Sequence, residues 1–156
     1  METPSNDRHA PFRAGDVVSD DEANRIYDGV VKCSLPKHEW THPAHLIFAT
    51  MLVSRSSLPG AEKSMPDMIR AYNESVGGVN NDREGYHHTI TLFFLRRIAS
   101  FLAKASSQGV GADATRLLAS PLALPDYPLK FYSKERLFSV EARRNWVEPD
   151  LNPVDD

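Results

Sequence analysis

A single cysteine, Cys33, leaves the chain without an internal disulfide and excludes the stapled scaffolds of small secreted proteins. Long apolar runs are also missing. The longest, Thr89 to Leu95, falls far short of the roughly 20 residues that cross a bilayer, so no membrane partner is expected. There is no extended basic run and the formal net charge is −3, which argues against a nucleic-acid footprint. Met1 to Arg13 contain neither an apolar segment nor a small-residue cleavage pattern. Together with the lone thiol, this gives the expectation of a cytoplasmic protein. The chain has no G-x-S-x-G elbow, phosphate loop or dinucleotide fingerprint, which removes the commonest hydrolase and nucleotide-binding readings. No stretch alternates apolar and polar residues long enough to make a half-buried strand, and no repeat is visible.

What remains is helical periodicity. At 156 residues the chain suits one domain with one core. Residues 1–15 are polar and contain Pro4, Pro11 and Gly15, so they read as a loose arm, with 16–156 as a single helical domain. Ser19 and Glu22 form a capping box for a first helix, whose stripe of Ile26, Tyr27, Val30 and Val31 runs on until Pro36 stops it. Cys33, near its end, reads as a half-buried packing residue. Thr41 caps a second helix with Pro43 in its first turn. Its inner face is Leu46, Ala49, Leu52 and Val53, and Ser56, Ser57, Pro59 and Gly60 break it. A third helix covers Met65 to Val76, a fourth Tyr86 to about Ala105, and a fifth Ala112 to Ala119. Short helices follow at Tyr127–Tyr132, Lys134–Phe138 and Val140–Trp146, the last two capped by Ser133 and Ser139. The class is all-α: a four-helix core bundle with a C-terminal wrap of short helices.

Five of the six histidines fall into two clusters, His38/His42/His45 and His87/His88, each at a predicted helix start. His42 and His45 are three apart and share the arc of Ala49, Leu52 and Val53. His87 aligns with Ile90, Thr91, Phe94 and Ile98. If the second, third and fourth helices run up, down and up, their histidine-bearing N-termini meet at one end. Three imidazoles and an open position suit a divalent metal, zinc first. The same residues also fit a plainer role, in which rings at helix starts cap amides or bond to carbonyls.

Around such a site, Glu39, Asp82 and Glu84 are candidates for proton transfer. Trp40 is either a hydrophobic staple or a substrate platform. Thr91 either joins the site or back-bonds to its own helix. Arg136 or Arg143 could reach over to pair with a substrate carboxylate, or the segment could simply wrap, burying Trp146 and Phe138.

The motifs W-T-H-P-A-H-L, G-Y-H-H-T-I-T and Y-S-K-E-R-L-F-S-V-E-A-R-R-N-W-V-E-P-D-L span about Leu35 to Leu151. Together they resemble a family of small bacterial proteins in which an aromatic-T-H-x-x-H-L element precedes Y-H-x-T-x-T. The resemblance places the family pattern on His42, His45, His87, Thr89 and Thr91, leaves His38 and His88 without a matching position, and names no reaction. In architecture and ligand count the chain is also loosely similar to DinB-type helical bundles, which hold a metal through three histidines. It departs from them in placing two of the three on one helix.

The expectation is a metal-dependent enzyme of hydrolase or lyase type acting on a small molecule. The alternatives are a non-enzymatic small-ligand-binding module, or an accessory protein whose C-terminal segment docks on a partner.

Overall fold

Six of the seven α-helix starts among the described residues are fixed by side chains that accept from the amide three residues on, and the start at Gly109 has no such cap. In the computed structural model, which describes residues 9–154, Ser19, Thr41, Ser57, Ser133 and Ser139 do this through hydroxyls, and His87 does it through its ring. The resulting helices are α1 (Asp20–Val31), α2 (His42–Arg55), α3 (Leu58–Ser75), α4 (His88–Ala103), α5 (Val110–Leu118), α6 (Lys134–Leu137) and α7 (Val140–Arg144). Single 3-10 turns lie at Lys37–Glu39, Pro121–Ala123 and Tyr127–Lys130. The described residues contain no strand, and no helix among them is long and apolar enough to cross a membrane.

The centre of the molecule is α2. Residues Leu46 to Leu52 are all buried, including Thr50, whose hydroxyl bonds back to the Leu46 carbonyl at 2.7 Å. A helix buried on every side needs neighbours on every side, and α1, α3, α4 and α5 all pack against α2. The arrangement is therefore a central helix within a ring of four, where the sequence suggested a core of four helices with a C-terminal wrap.

Two boundaries differ from expectation for local reasons. Pro59 and Gly60 do not break the chain. Ser57 caps at Gly60 N, and both residues sit in the first turn of α3, where a missing proline amide costs nothing. Helix α1 ends five residues before Pro36, because Cys33 adopts a left-handed φ of 55° and the Ser34 and Leu35 amides turn back onto the Gly29 carbonyl. Leu35 then packs so closely on Gly29 that an added Cβ would lie 2.9 Å from its own. Cys33 itself is exposed rather than half-buried.

The C-terminal segment wraps its own bundle. Tyr132, Leu137, Ala142 and Val147 are buried. The Thr89 hydroxyl donates to Asn145 O at 2.7 Å and accepts from Val147 N at 3.1 Å, and Trp146 lies under the Arg96 guanidinium. Phe138 departs from expectation, pointing outward at 59% exposure. Residues 9–15 are also tied down: Phe12 is buried and Gly15 N donates to Leu118 O at 2.7 Å. The rest of the predicted arm, residues 1–8, lies outside the described residues.

Candidate functional site

Where the N-termini of α2 and α4 meet, the bundle opens into a cavity of about 590 Å³. His42, His45 and His87 all line it, as do Trp40, Thr91 and Glu84. The two histidine clusters therefore share one end of the molecule. Their rings, however, are held in different ways.

His87 precedes α4 as its N-cap, with extended backbone (φ −127°, ψ 112°), and its buried ring lines the cavity with Ile90, Thr91 and Phe94. Its Nδ1 accepts from Ile90 N at 3.1 Å, and its Nε2–H donates to the Leu137 carbonyl at 2.8 Å. Burial holds its pKa below the usual imidazole value, so the ring is neutral. With both nitrogens engaged by backbone, it has no lone pair to offer a ligand.

His45 and His42 each retain one. A carbonyl only accepts, so each ring must donate the nitrogen that faces one. His45 Nδ1–H donates to Thr41 O at 2.7 Å and His42 Nε2–H to Leu122 O at 2.9 Å. Among the described residues, His45 Nε2 and His42 Nδ1 take no hydrogen bond. Burial pushes His45 down to about 4, opposed by its backbone hydrogen bond and helped by nearby His42. Burial lowers His42 as well, against the bond to Leu122. Both rings are therefore uncharged near neutral pH and present bare acceptor nitrogens. Trp40 stacks on His45 at 3.7 Å between centroids and 26° between planes. These are the positions just before the cap and four into the helix, as in a hydrophobic staple. Phe94 lies 4.7 Å from the His42 ring centroid.

The three-histidine zinc set is not assembled. His87 has no free nitrogen, and among the described residues no group of three histidine, cysteine or acidic side chains is placed to hold a metal ion. The residues present do not fit the expected metal.

Of the three carboxylates, only Glu84 lines the cavity, at its exposed mouth. Glu39 is turned away and 1% exposed, with Oε1 2.9 Å from the Arg25 guanidinium, an ion pair without hydrogen-bond alignment. Asp82 is outside too, bonded twice to Arg144 at 2.7 and 2.6 Å. Arg136 bonds the Glu148 carbonyl and does not line the cavity, while Arg143 donates to Gly85 O at 3.0 Å and braces the loop. His38 bonds the His9 carbonyl and His88 pairs with the Tyr86 hydroxyl; neither lines the cavity.

Sequence reasoning did not pick out Lys37, Asn73 and Tyr86, which also line the cavity. Asn80 sets the loop that carries Glu84. Its amide donates to Arg70 O and Glu74 Oε2, and its Oδ1 accepts from Asn73 Nδ2 and Tyr86 N. Gly85 closes the loop at φ 85°, where an added Cβ would fall 2.1 Å from Val79 O. Only glycine fits there. The N-x₄-G spacing before the second histidine cluster was the available signal.

Past the two histidines, the cavity continues into a recess of about 70 Å³ with apolar walls that include Met65, Leu95 and Ile98. His42, His45, Ile69, Ile90, Thr91 and Phe94 border both spaces.

Compared with family models, curated proteins and solved structures, the chain matches none.

Proposed function

We propose that this chain binds a small molecule in the chamber at the N-termini of α2 and α4, with His42 and His45 as its principal polar contacts. The observation that carries this reading is the pair of neutral rings, each fixed by one backbone bond and each with one bare nitrogen, in a concave space of about 590 Å³. A chamber of that size, mostly apolar with a few convergent polar groups, has the character of a small-molecule site.

Binding is better supported than proton-transfer catalysis. A general base works best with a pKa near the operating pH, and His45 at about 4 is too weak a base at neutrality. Glu84 sits at the mouth, away from the recess. The metal-dependent hydrolase or lyase reading would need a nitrogen that His87 does not have free.

The test is a ligand-observed NMR screen of small aromatic and aliphatic fragments against the full chain and a Thr91→Trp variant whose indole fills the chamber. The reading expects fragments that bind the wild type and are lost in the variant, with helicity unchanged by circular dichroism. Fragments that bind both proteins equally, or no binding by any fragment, would overturn it. Added zinc is expected to leave the melting temperature unchanged.

A further inference from the structure

The chamber's polar groups and shape together constrain what would enter it. We infer that its ligand is an uncharged amphipathic molecule that donates O–H or N–H groups to His42 Nδ1 and His45 Nε2 and places a small apolar end in the recess behind them. This rests on the chamber being a binding site, and it adds the class of molecule.

The direction of the hydrogen bonds sets the polarity of the ligand. Because Leu122 O and Thr41 O fix which nitrogen of each ring carries the proton, both remaining nitrogens can only accept. A ligand that offers only acceptors would leave two lone pairs facing its own, and burying unmatched polar groups is costly.

Anions fit the chamber poorly. Helix N-termini ordinarily attract them through free amides. Here one first-turn amide of each helix is already taken, Ala44 N by the Thr41 hydroxyl and Ile90 N by the His87 ring, and Pro43 has none to give. The charges lining the cavity, Lys37 and Glu84, are opposite in sign. A carboxylate or phosphate at the recess, whose lining holds no cation, would therefore meet two imidazole lone pairs.

The recess favours a small apolar end. About 70 Å³ enclosed by Met65, Leu95 and Ile98 has room for a short alkyl group but not for a ring. It offers that group no polar partner beyond the histidines and Thr91 at its entrance. Burial of each methylene there favours binding. The wider chamber has aromatic walls at Trp40, Tyr86 and Phe94, which suit a planar body.

Titration of the full chain with 4-ethylphenol, its methyl ether 4-ethylanisole, and 4-ethylbenzoate tests the inference, by calorimetry and by imidazole ¹⁵N shifts at pH 7. The three share a ring and an ethyl tail, and differ in presenting a donor, no donor, or an anion. The expected result is that the phenol binds about tenfold tighter than the ether and that the benzoate binds weakest. That gap should narrow in His45→Phe, which keeps the ring stacked on Trp40 and leaves His42 as the remaining acceptor, and should narrow less in His45→Gln, which keeps an acceptor at that position. Equal affinities for phenol and ether, both abolished by Thr91→Trp, would overturn the donor rule and leave the chamber as a binding site. Tightest binding by the benzoate would overturn it as well. No binding by any of the three would remove the chamber reading and the inference with it.

Discussion

Two helix starts face each other in this protein, and both carry histidine, but they use it in opposite ways. At α4, His87 replaces the usual serine or threonine as cap, and both its nitrogens are held by backbone. At α2, Thr41 does the capping. His42 and His45, one and four residues further on, each commit one nitrogen to a carbonyl and keep the other. The difference shows that burial and proximity do not make a histidine available. The count of engaged nitrogens does. One start commits both nitrogens to the fold, and the other leaves one nitrogen on each ring unengaged.

The largest effect that would break this contrast is on stability. His87→Ala removes a cap worth about 1 kcal/mol and leaves the Leu137 carbonyl without its partner, worth about 1–3 kcal/mol more. A loss of about 3 kcal/mol in urea-unfolding free energy is expected. His45→Phe should cost roughly 1 kcal/mol, because Thr41 O still accepts the His45 backbone amide at 3.0 Å. Equal losses would erase the distinction.

Acid comes next. The His45 pKa falls from 6.5 unfolded to about 4 folded, so between those values the unfolded chain binds the extra proton. The stability is fully present above pH 6.5 and is lost as pH falls towards 4, by on the order of 2–3 kcal/mol. His42 and His87, also lowered by burial, act in the same direction. Unfolding curves at pH 7 and pH 4.5 should show the drop in wild type and a smaller one in His45→Phe. A flat profile would mean that the α2 rings are not neutral.

Thr89→Val sharpens the comparison from the architectural side. It removes the hydroxyl that joins α4 to Asn145 and Val147, and it should cost about 2 kcal/mol while leaving fragment binding in the chamber unchanged by NMR. The smallest effect is expected at the mouth: Glu84→Gln should change stability by less than about 0.5 kcal/mol, with any shift confined to the affinity of charged fragments.

The all-helical class and most helix starts were legible in the sequence because capping is local: Ser19, Thr41, Ser133 and Ser139 each announce a helix within three residues. The meeting of His42, His45 and His87 at one end was legible from the up-down-up path. The states of the His42 and His87 rings were not, because they depend on carbonyls distant in sequence: Leu122, 80 positions from His42, and Leu137, 50 from His87. The third helix was drawn too short because Pro59 and Gly60 read as breakers when a cap at Ser57 turns them into a first turn. Glu39 looked catalytic beside the histidines. Its side chain instead turns to α1 and Arg25, a pairing that no spacing rule exposes.

The central claim is a pattern of protons on three rings. Long-range ¹H–¹⁵N correlation spectra of the imidazoles at pH 7 read it directly. The account predicts neutral rings protonated at Nε2 in His42, at Nδ1 in His45 and at Nε2 in His87, with only the first two responding when a donor ligand is added. A charged His45, the opposite tautomer at His42, or a response at His87 alone would contradict it.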